Sequence, residues 1–307
     1  MKIALIGQAA FGNAVLEAII NQGRDEIAGV FAPPDREGRP ADPIVESARS
    51  RDLPLYQFRR MRAQEAIDQF MAIEPDLCVM AFVTDIVPMD MIDAPPLGTI
   101  QYHPSLLPRH RGPSSINWPI IFGEAETGLT VFWPDKGLDT GPILLQKKVQ
   151  IGPDDTLGSV YFDRLFPMGV EAMIEAIDLV RDGDAPRIAQ DEASATYEGW
   201  CKAADVVIDW AMPARKVYDM VRGSNPQPGA NTTFNGQPVS FYECSLDETG
   251  PGTDPGAVTG ISNGSVKVAL NGGTLDLARV RAEGGRKVSA SEFAEDAGLR
   301  VGDRFGT

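Results

Sequence analysis

Both histidines of this 307-residue chain fall in one short loop, His103-Pro104-Ser105-Leu106-Leu107-Pro108-Arg109-His110-Arg111-Gly112. Any imidazole chemistry is therefore confined to that loop. An imidazole titrates at about 6.5 and can exchange a proton or steady an oxyanion near neutrality, but it needs a carboxylate to set its tautomer and charge. Asp139, in Gly137-Leu138-Asp139-Thr140-Gly141, is the best candidate. The glycines on both sides let the backbone approach a flat ligand closely. Taken singly, each residue also fits a structural part: a histidine among prolines shapes a loop, and an aspartate forms a turn. Asp-Thr-Gly also occurs in aspartic proteases, whose mechanism needs a second such carboxylate sharing a proton. Nothing else in the chain supports that reading.

The elements that must hold these residues read as an α/β fold. Leu97 to Tyr102 is rich in strand formers, with Pro95 and Pro96 at its entry, so His103 is expected at the carboxyl end of a strand, where open sheets place ligands. Pro104 and Pro108 stiffen the loop beyond it. Asp139 lies between the apolar runs Leu129 to Trp133 and Pro142 to Leu145, after a turn at Pro134 to Gly137. Strand, helix and strand at residues 2–7, Ala14 to Ile20 and Ile27 to Phe31 open a parallel unit, and helix then strand recurs at Gln64 to Ile73 and Leu77 to Phe82. The expectation is a Rossmann-like, mostly parallel sheet. Gly7 and Gly12 lack the three-glycine fingerprint and no Lys-Ser/Thr comes after them, so no nucleotide cofactor is expected.

Leu157 to Arg181 has apolar residues at helical spacing, and Ala189 to Ala204 is a small and polar crossing segment. From Asn231 onward, short alternating strands are separated by Asn235-Gly236, Asn263-Gly264 and Gly272-Gly273, the turn signals of a small antiparallel barrel. Two domains are expected, 1–203 and 204–307. A net charge of −15 argues against nucleic acid, whose binding rests on Lys and Arg neutralising phosphates. No apolar run is long enough to span a bilayer and the chain starts directly on a strand, so a cytoplasmic protein is expected. Cys78, Cys201 and Cys244 are widely spaced and form no zinc or redox motif, so no metal is expected and the thiols read as reduced.

Taken together, the His-Pro-Ser-Leu-Leu-Pro loop and the Leu-Asp-Thr-Gly turn resemble the folate-dependent formyltransferase family. The resemblance is closest to the amino-terminal hydrolase domain of 10-formyltetrahydrofolate dehydrogenase and runs over most of the chain. It includes Met1 to Gln8 with Phe11-Gly12, Tyr102 to Gly112 with Ser115-Ile116-Asn117-Trp118, Phe132 through Gln146, Ala195 to Gly199, and Arg222-Gly223 with Pro228-Gly229-Ala230. It implies that His103 and Asp139 are catalytic and that Gln101 stands where the family usually has Asn, its amide donor one methylene farther out. The hydrolase branch itself departs from Asn here. The family's pterin segment matches Phe82 to Pro88, which carries over Phe82 and Ile86 as substrate contacts. Ser105, Leu107, Arg111 and Gly137 are the further substrate-binding candidates; Arg111, with Arg109, reads equally as a contact for the folate glutamate tail or as a solvated loop tip. The implied reaction is hydrolysis of 10-formyltetrahydrofolate to formate and tetrahydrofolate. Transfer to an amine (an amino sugar or methionyl-tRNA) or to a separate carrier protein, and folate binding without turnover, stay open as alternatives. So does homo-oligomerisation. Within these 307 residues no aldehyde dehydrogenase module is expected.

Overall fold

The computed structural model describes residues 1–249, 254–262 and 264–307. Its contacts divide the chain into two compact units that interleave in sequence. The first comprises Met1–Arg111, Gly128–Lys148 and Arg164–Tyr197, and the second Gly112–Thr127, Val149–Asp163 and Glu198–Thr307.

The first unit carries a seven-stranded sheet of β1 (Lys2–Gly7), β2 (Glu26–Ala32), β3 (Leu55–Gln57), β4 (Leu77–Ala81), β5 (Thr99–His103), β6 (Glu126–Phe132) and β7 (Ile143–Gln150). The spatial order is β3-β2-β1-β4-β5-β6-β7. The pairs from β3 to β5 are parallel, and β6 runs antiparallel to β5. This is the mostly parallel, Rossmann-like sheet expected. β1 and β4 are apolar and buried along almost their whole length, as strands covered on both faces must be. The helices of the first unit are α1 (Ala9–Gln22), α2 (Pro43–Ser50), α3 (Gln64–Ala72), α4 (Met89–Asp93) and α7 (Phe166–Asp182), and those of the second are α5 (Asn117–Phe122), α6 (Leu157–Val160), α8 (Ala214–Gly223) and α9 (Ala290–Ala297). α1 buries Phe11, Val15, Leu16 and Ile19, one helical stripe, and stops at Gly23 in the left-handed conformation.

Leu157 to Arg181 is not the single helix its periodicity suggests. Between α6 and α7 the chain makes a π turn at Tyr161–Leu165. Pro167 has no N–H to give the preceding turn, so the regular ladder cannot run through it. A second local detail fixes β5. Tyr102 packs on Phe11 at 4.3 Å between ring centres, and Phe11 meets Phe166 edge-on at 5.6 Å. Gly169 of α7 makes the room, since a Cβ there would lie 2.8 Å from Tyr102. Such aromatic pairs add about 0.5–1.5 kcal/mol beyond area burial.

The second unit holds two four-stranded antiparallel sheets. One is ordered β10-β13-β12-β11 and the other β15-β14-β9-β8. The strands are β8 (Ala230–Phe234), β9 (Gln237–Phe241), β10 (Cys244–Asp247), β11 (Val258–Ser262), β12 (Ser265–Leu270), β13 (Gly273–Leu277), β14 (Arg279–Ala282) and β15 (Val288–Ser289). Together they make the small barrel-like domain expected, around a core that includes Phe241, Val268, Leu275 and Phe305. Asn235-Gly236 turns the β8–β9 hairpin with both residues at positive φ. The β12–β13 hairpin turns at Asn271-Gly272, one residue earlier than expected, because Leu270 pairs with Gly273. Asn263 of the expected Asn263-Gly264 turn lies outside the described residues. α5 packs on α8 within this unit, where Asn117 Nδ2 donates to the carbonyls of Gly223 (2.9 Å) and Gln227 (3.1 Å).

Candidate active site

His103 is the last residue of β5, at the carboxyl end of that strand as expected. Side chains alternate along a strand, so Gln101 and His103 share one face while Tyr102 turns to the aromatic cluster on the other. His103 Nε2 lies 2.8 Å from the carbonyl oxygen of His110. A carbonyl only accepts, so Nε2 carries the hydrogen and Nδ1 is the nitrogen left for chemistry. The connection between β6 and β7 folds back to set Asp139 against that nitrogen, with Oδ2 3.7 Å from Nδ1. Both side chains are buried. At 3.7 Å the pair is too long for a direct hydrogen bond, as acid–base partners often are before substrate arrives. Asp139 sits at φ +57°, a left-handed conformation that costs a non-glycine residue free energy and persists only where neighbours enforce it. Gly137 and Gly141 are required by space: a Cβ would lie 2.1 Å from Thr140 Oγ1 at the first and 1.7 Å from Trp133 O at the second.

The amide of Gln101 has no hydrogen-bond partner among the described residues and is only partly buried, so its N–H groups are available on the His103 face. Phe82, at the end of β4, also has positive φ and is exposed. β4 and β5 run in parallel with Met80 opposite Gln101, so Phe82 and His103 leave adjacent strands at the same level. Phe82 lines a cavity of about 470 Å³ with Phe31, Phe58, Met61 and Val83, at the ends of β1, β2 and β4. That volume is in the range of small-molecule sites. Ile86 is 73 % exposed and does not line this cavity, nor do His103 and Asp139.

Three residues expected to touch substrate are instead committed within the protein. Ser105 is fully buried and its hydroxyl donates to the carbonyls of Arg109 (2.7 Å) and His110 (3.3 Å). Leu107 is buried, its N–H donating to Thr130 Oγ1 (3.1 Å) and its carbonyl accepting from Gln146 Nε2 (2.7 Å). Arg111, expected at a loop tip to meet a glutamate tail, is 0 % exposed. Its guanidinium donates to Gln190 Oε1, to both oxygens of Glu192 and to the Tyr197 hydroxyl. This contact with Arg111 holds the Glu192 carboxyl below its ordinary value. A guanidinium with its donors so engaged shapes the loop and has none to spare for a ligand. Thr130 and Gln146, unremarkable in the sequence, complete the clamp: Thr130 Oγ1 donates to Ser105 O (2.7 Å) and accepts from Gln146 Nε2 (2.9 Å). Their separation of 16 to 39 residues from their partners leaves no local pattern to read.

Comparison with known proteins assigns the family. The chain matches the formyl transferase family over residues 1–177 and the formyl transferase C-terminal domain over residues 201–298. It is 40% identical over 306 residues to the mitochondrial 10-formyltetrahydrofolate dehydrogenase of Mus musculus, covering 95% of this chain and 33% of that one, so it spans about a third of such relatives. It is 34% identical over 306 residues to the methionyl-tRNA formyltransferase of Trichlorobacter lovleyi, covering 98% and 96%. HypX from Aquifex aeolicus, solved in complex with tetrahydrofolic acid, shares the fold at a TM-score of 0.69 and 18% identity, over 95% of this chain and 47% of that one. With its His-Pro-Ser-Leu-Leu-Pro loop and Asp139 turn brought together, the chain belongs to the formyl transferase family.

Proposed function

We propose that this enzyme removes the formyl group of 10-formyltetrahydrofolate to water in the cytoplasm, releasing formate and tetrahydrofolate. The observation that carries the reading is the buried His103–Asp139 pair, with the imidazole oriented through Nε2 and the Gln101 amide on the same face. A water held by Asp139 gives up a proton through the pair and attacks the formyl carbon. The oxyanion that forms is met by the Gln101 N–H groups and by a protonated His103 Nδ1. The C–N10 bond then breaks, and N10 takes the proton from Nδ1. One water is consumed, and tetrahydrofolate leaves with formic acid, which gives up its proton to solvent as formate. We place the folate ring against Phe82, with Ile86 at the outer edge, and Gly137 at the backbone's approach to the formyl end.

A second reading, transfer to an amine, is favoured by the similarity to a full-length methionyl-tRNA formyltransferase. Against a tRNA acceptor stands the net charge of −15. Pure protein incubated with 10-formyltetrahydrofolate, alone and with amino sugars or initiator methionyl-tRNA, separates the two. The hydrolase reading predicts formate equimolar with tetrahydrofolate in the absence of amine. Formyl transfer to an added amine with no formate when it is omitted would contradict it.

A further inference from the structure

The segment 188–197, most of it within the small and polar crossing read from the sequence, bonds to both loops of the active site. At one end Ile188 pairs with Ile143, N–H to carbonyl in both directions at 2.8 and 2.9 Å, just after the Asp139 turn. At the other end His110 N–H donates to Thr196 Oγ1 (2.8 Å), Arg111 N–H to Thr196 O (3.0 Å), and Thr196 N–H to Pro108 O (3.1 Å). Between them, Gln190 Nε2 donates to the carbonyls of Asp139 (2.9 Å) and Gly141 (2.7 Å). The other end of the same amide, Oε1, receives Nε and Nη2 of the buried Arg111 at 3.1 and 2.8 Å.

We propose that Gln190 is a positioning residue that sets the distance between His103 and Asp139, with 188–197 acting as the strap. Its two N–H groups take the carbonyls on either side of Thr140, which holds Asp139 in its left-handed conformation. Arg111 prevents the amide from turning over, because a flipped Gln190 would face the guanidinium with donors. Arg111 in turn adjoins His110, whose carbonyl orients His103. The strap thus references the carboxylate and the imidazole to a common support, and a displacement of about 1 Å in such a site costs up to a hundredfold in rate. Gln190 acts on the Asp139 backbone and touches no reacting atom in the reaction proposed above, on which this inference rests.

Gln190→Glu tests it. The variant keeps length, shape and an acceptor for Arg111, but it has no N–H to give the two carbonyls. The expected result is a melting temperature close to wild type, kcat for formate release lowered roughly ten- to a hundredfold, and KM changed by less than about threefold. Gln190→Met, which lacks the donors without adding charge, should give the same kcat loss if the glutamate variant folds poorly. A readout independent of turnover uses the two histidines, whose imidazole ring resonances can be followed individually by NMR. In the wild-type background Asp139→Asn should move the His103 ring resonances, and in the Gln190→Glu or Gln190→Met background that shift should be at least about halved. A wild-type kcat in a folded Gln190 variant, or an undiminished shift, would overturn the proposal. Should the wild-type protein release no formate, the function proposed above fails, while the NMR comparison still decides whether Gln190 couples the two side chains.

Discussion

Thr130→Val gives the sharpest energetic test of how the histidine loop is held. The Thr130 side chain is fully buried, and its hydroxyl joins three groups: Ser105 O at 2.7 Å, Leu107 N at 3.1 Å and Gln146 Nε2 at 2.9 Å. Valine has the same shape, so no cavity is made and the change is confined to hydrogen bonding. Gln146 keeps its bond to Leu107 O at 2.7 Å, whereas the Ser105 carbonyl and the Leu107 N–H lose the hydroxyl. Each buried group left unpaired costs about 1–3 kcal/mol, which relaxation of the loop reduces to a total of about 2–4 kcal/mol. Thr130→Ser keeps the hydroxyl and removes one methyl, for a loss of about 1 kcal/mol. Urea unfolding by circular dichroism measures the difference, and hydrogen exchange of a peptide spanning 103–112 reports where it falls. Thr130→Val within about 0.5 kcal/mol of wild type, with unchanged exchange in the loop, would refute the clamp.

Gln101→Asn restores the usual family amide and should alter the partition of formyl between water and an added amine, measured by product ratio; an unchanged ratio removes this position from acceptor choice. Burial pushes the Cys78 thiol up to about 12 and that of Cys201 to about 11, and raises Cys244 as well. Since the thiolate is the nucleophile, a raised value keeps these groups neutral at pH 8, and reaction with a disulfide reagent should be about a hundredfold slower in the native than in the denatured protein. Truncation after Ala203 removes α8 from α5 but leaves every segment of the first unit, so the fragment should retain folate affinity while exposing apolar surface around Ile121, seen as aggregation in light scattering. Loss of folate binding by a folded fragment would place pocket residues beyond 203.

The juxtaposition of His103 and Asp139 was legible because histidine is so scarce that its position alone localises imidazole chemistry, and because Asp139 lies between two strand-like apolar runs. The parallel sheet was legible for a related reason: strands buried on both faces, such as β1 and β4, read as continuous apolar segments between turn signals. What local patterns do not carry is the partner of a polar side chain. Arg111 beside Pro108 and Arg109 reads as a solvated loop tip, yet its guanidinium is buried against Gln190 and Glu192, 79 and 81 residues away. Gln190 and Thr196 lie in a stretch without periodicity, where hydrogen bonds to distant backbone leave no trace in spacing. The interleaving of the units escaped for the same reason, since α5 adjoins the loop in sequence but packs on α8 more than ninety residues on.

Single-turnover release of formate by His103→Ala and Asp139→Asn tests the central claim most directly, since it separates chemistry from product release. With enzyme in excess over 10-formyltetrahydrofolate and no amine present, wild type should release formate in step with tetrahydrofolate. Each variant should bind the folate and react at least roughly a hundredfold more slowly, as loss of an acid–base or oxyanion group requires. Either variant reacting near the wild-type rate would contradict the assignment of the chemistry to this pair.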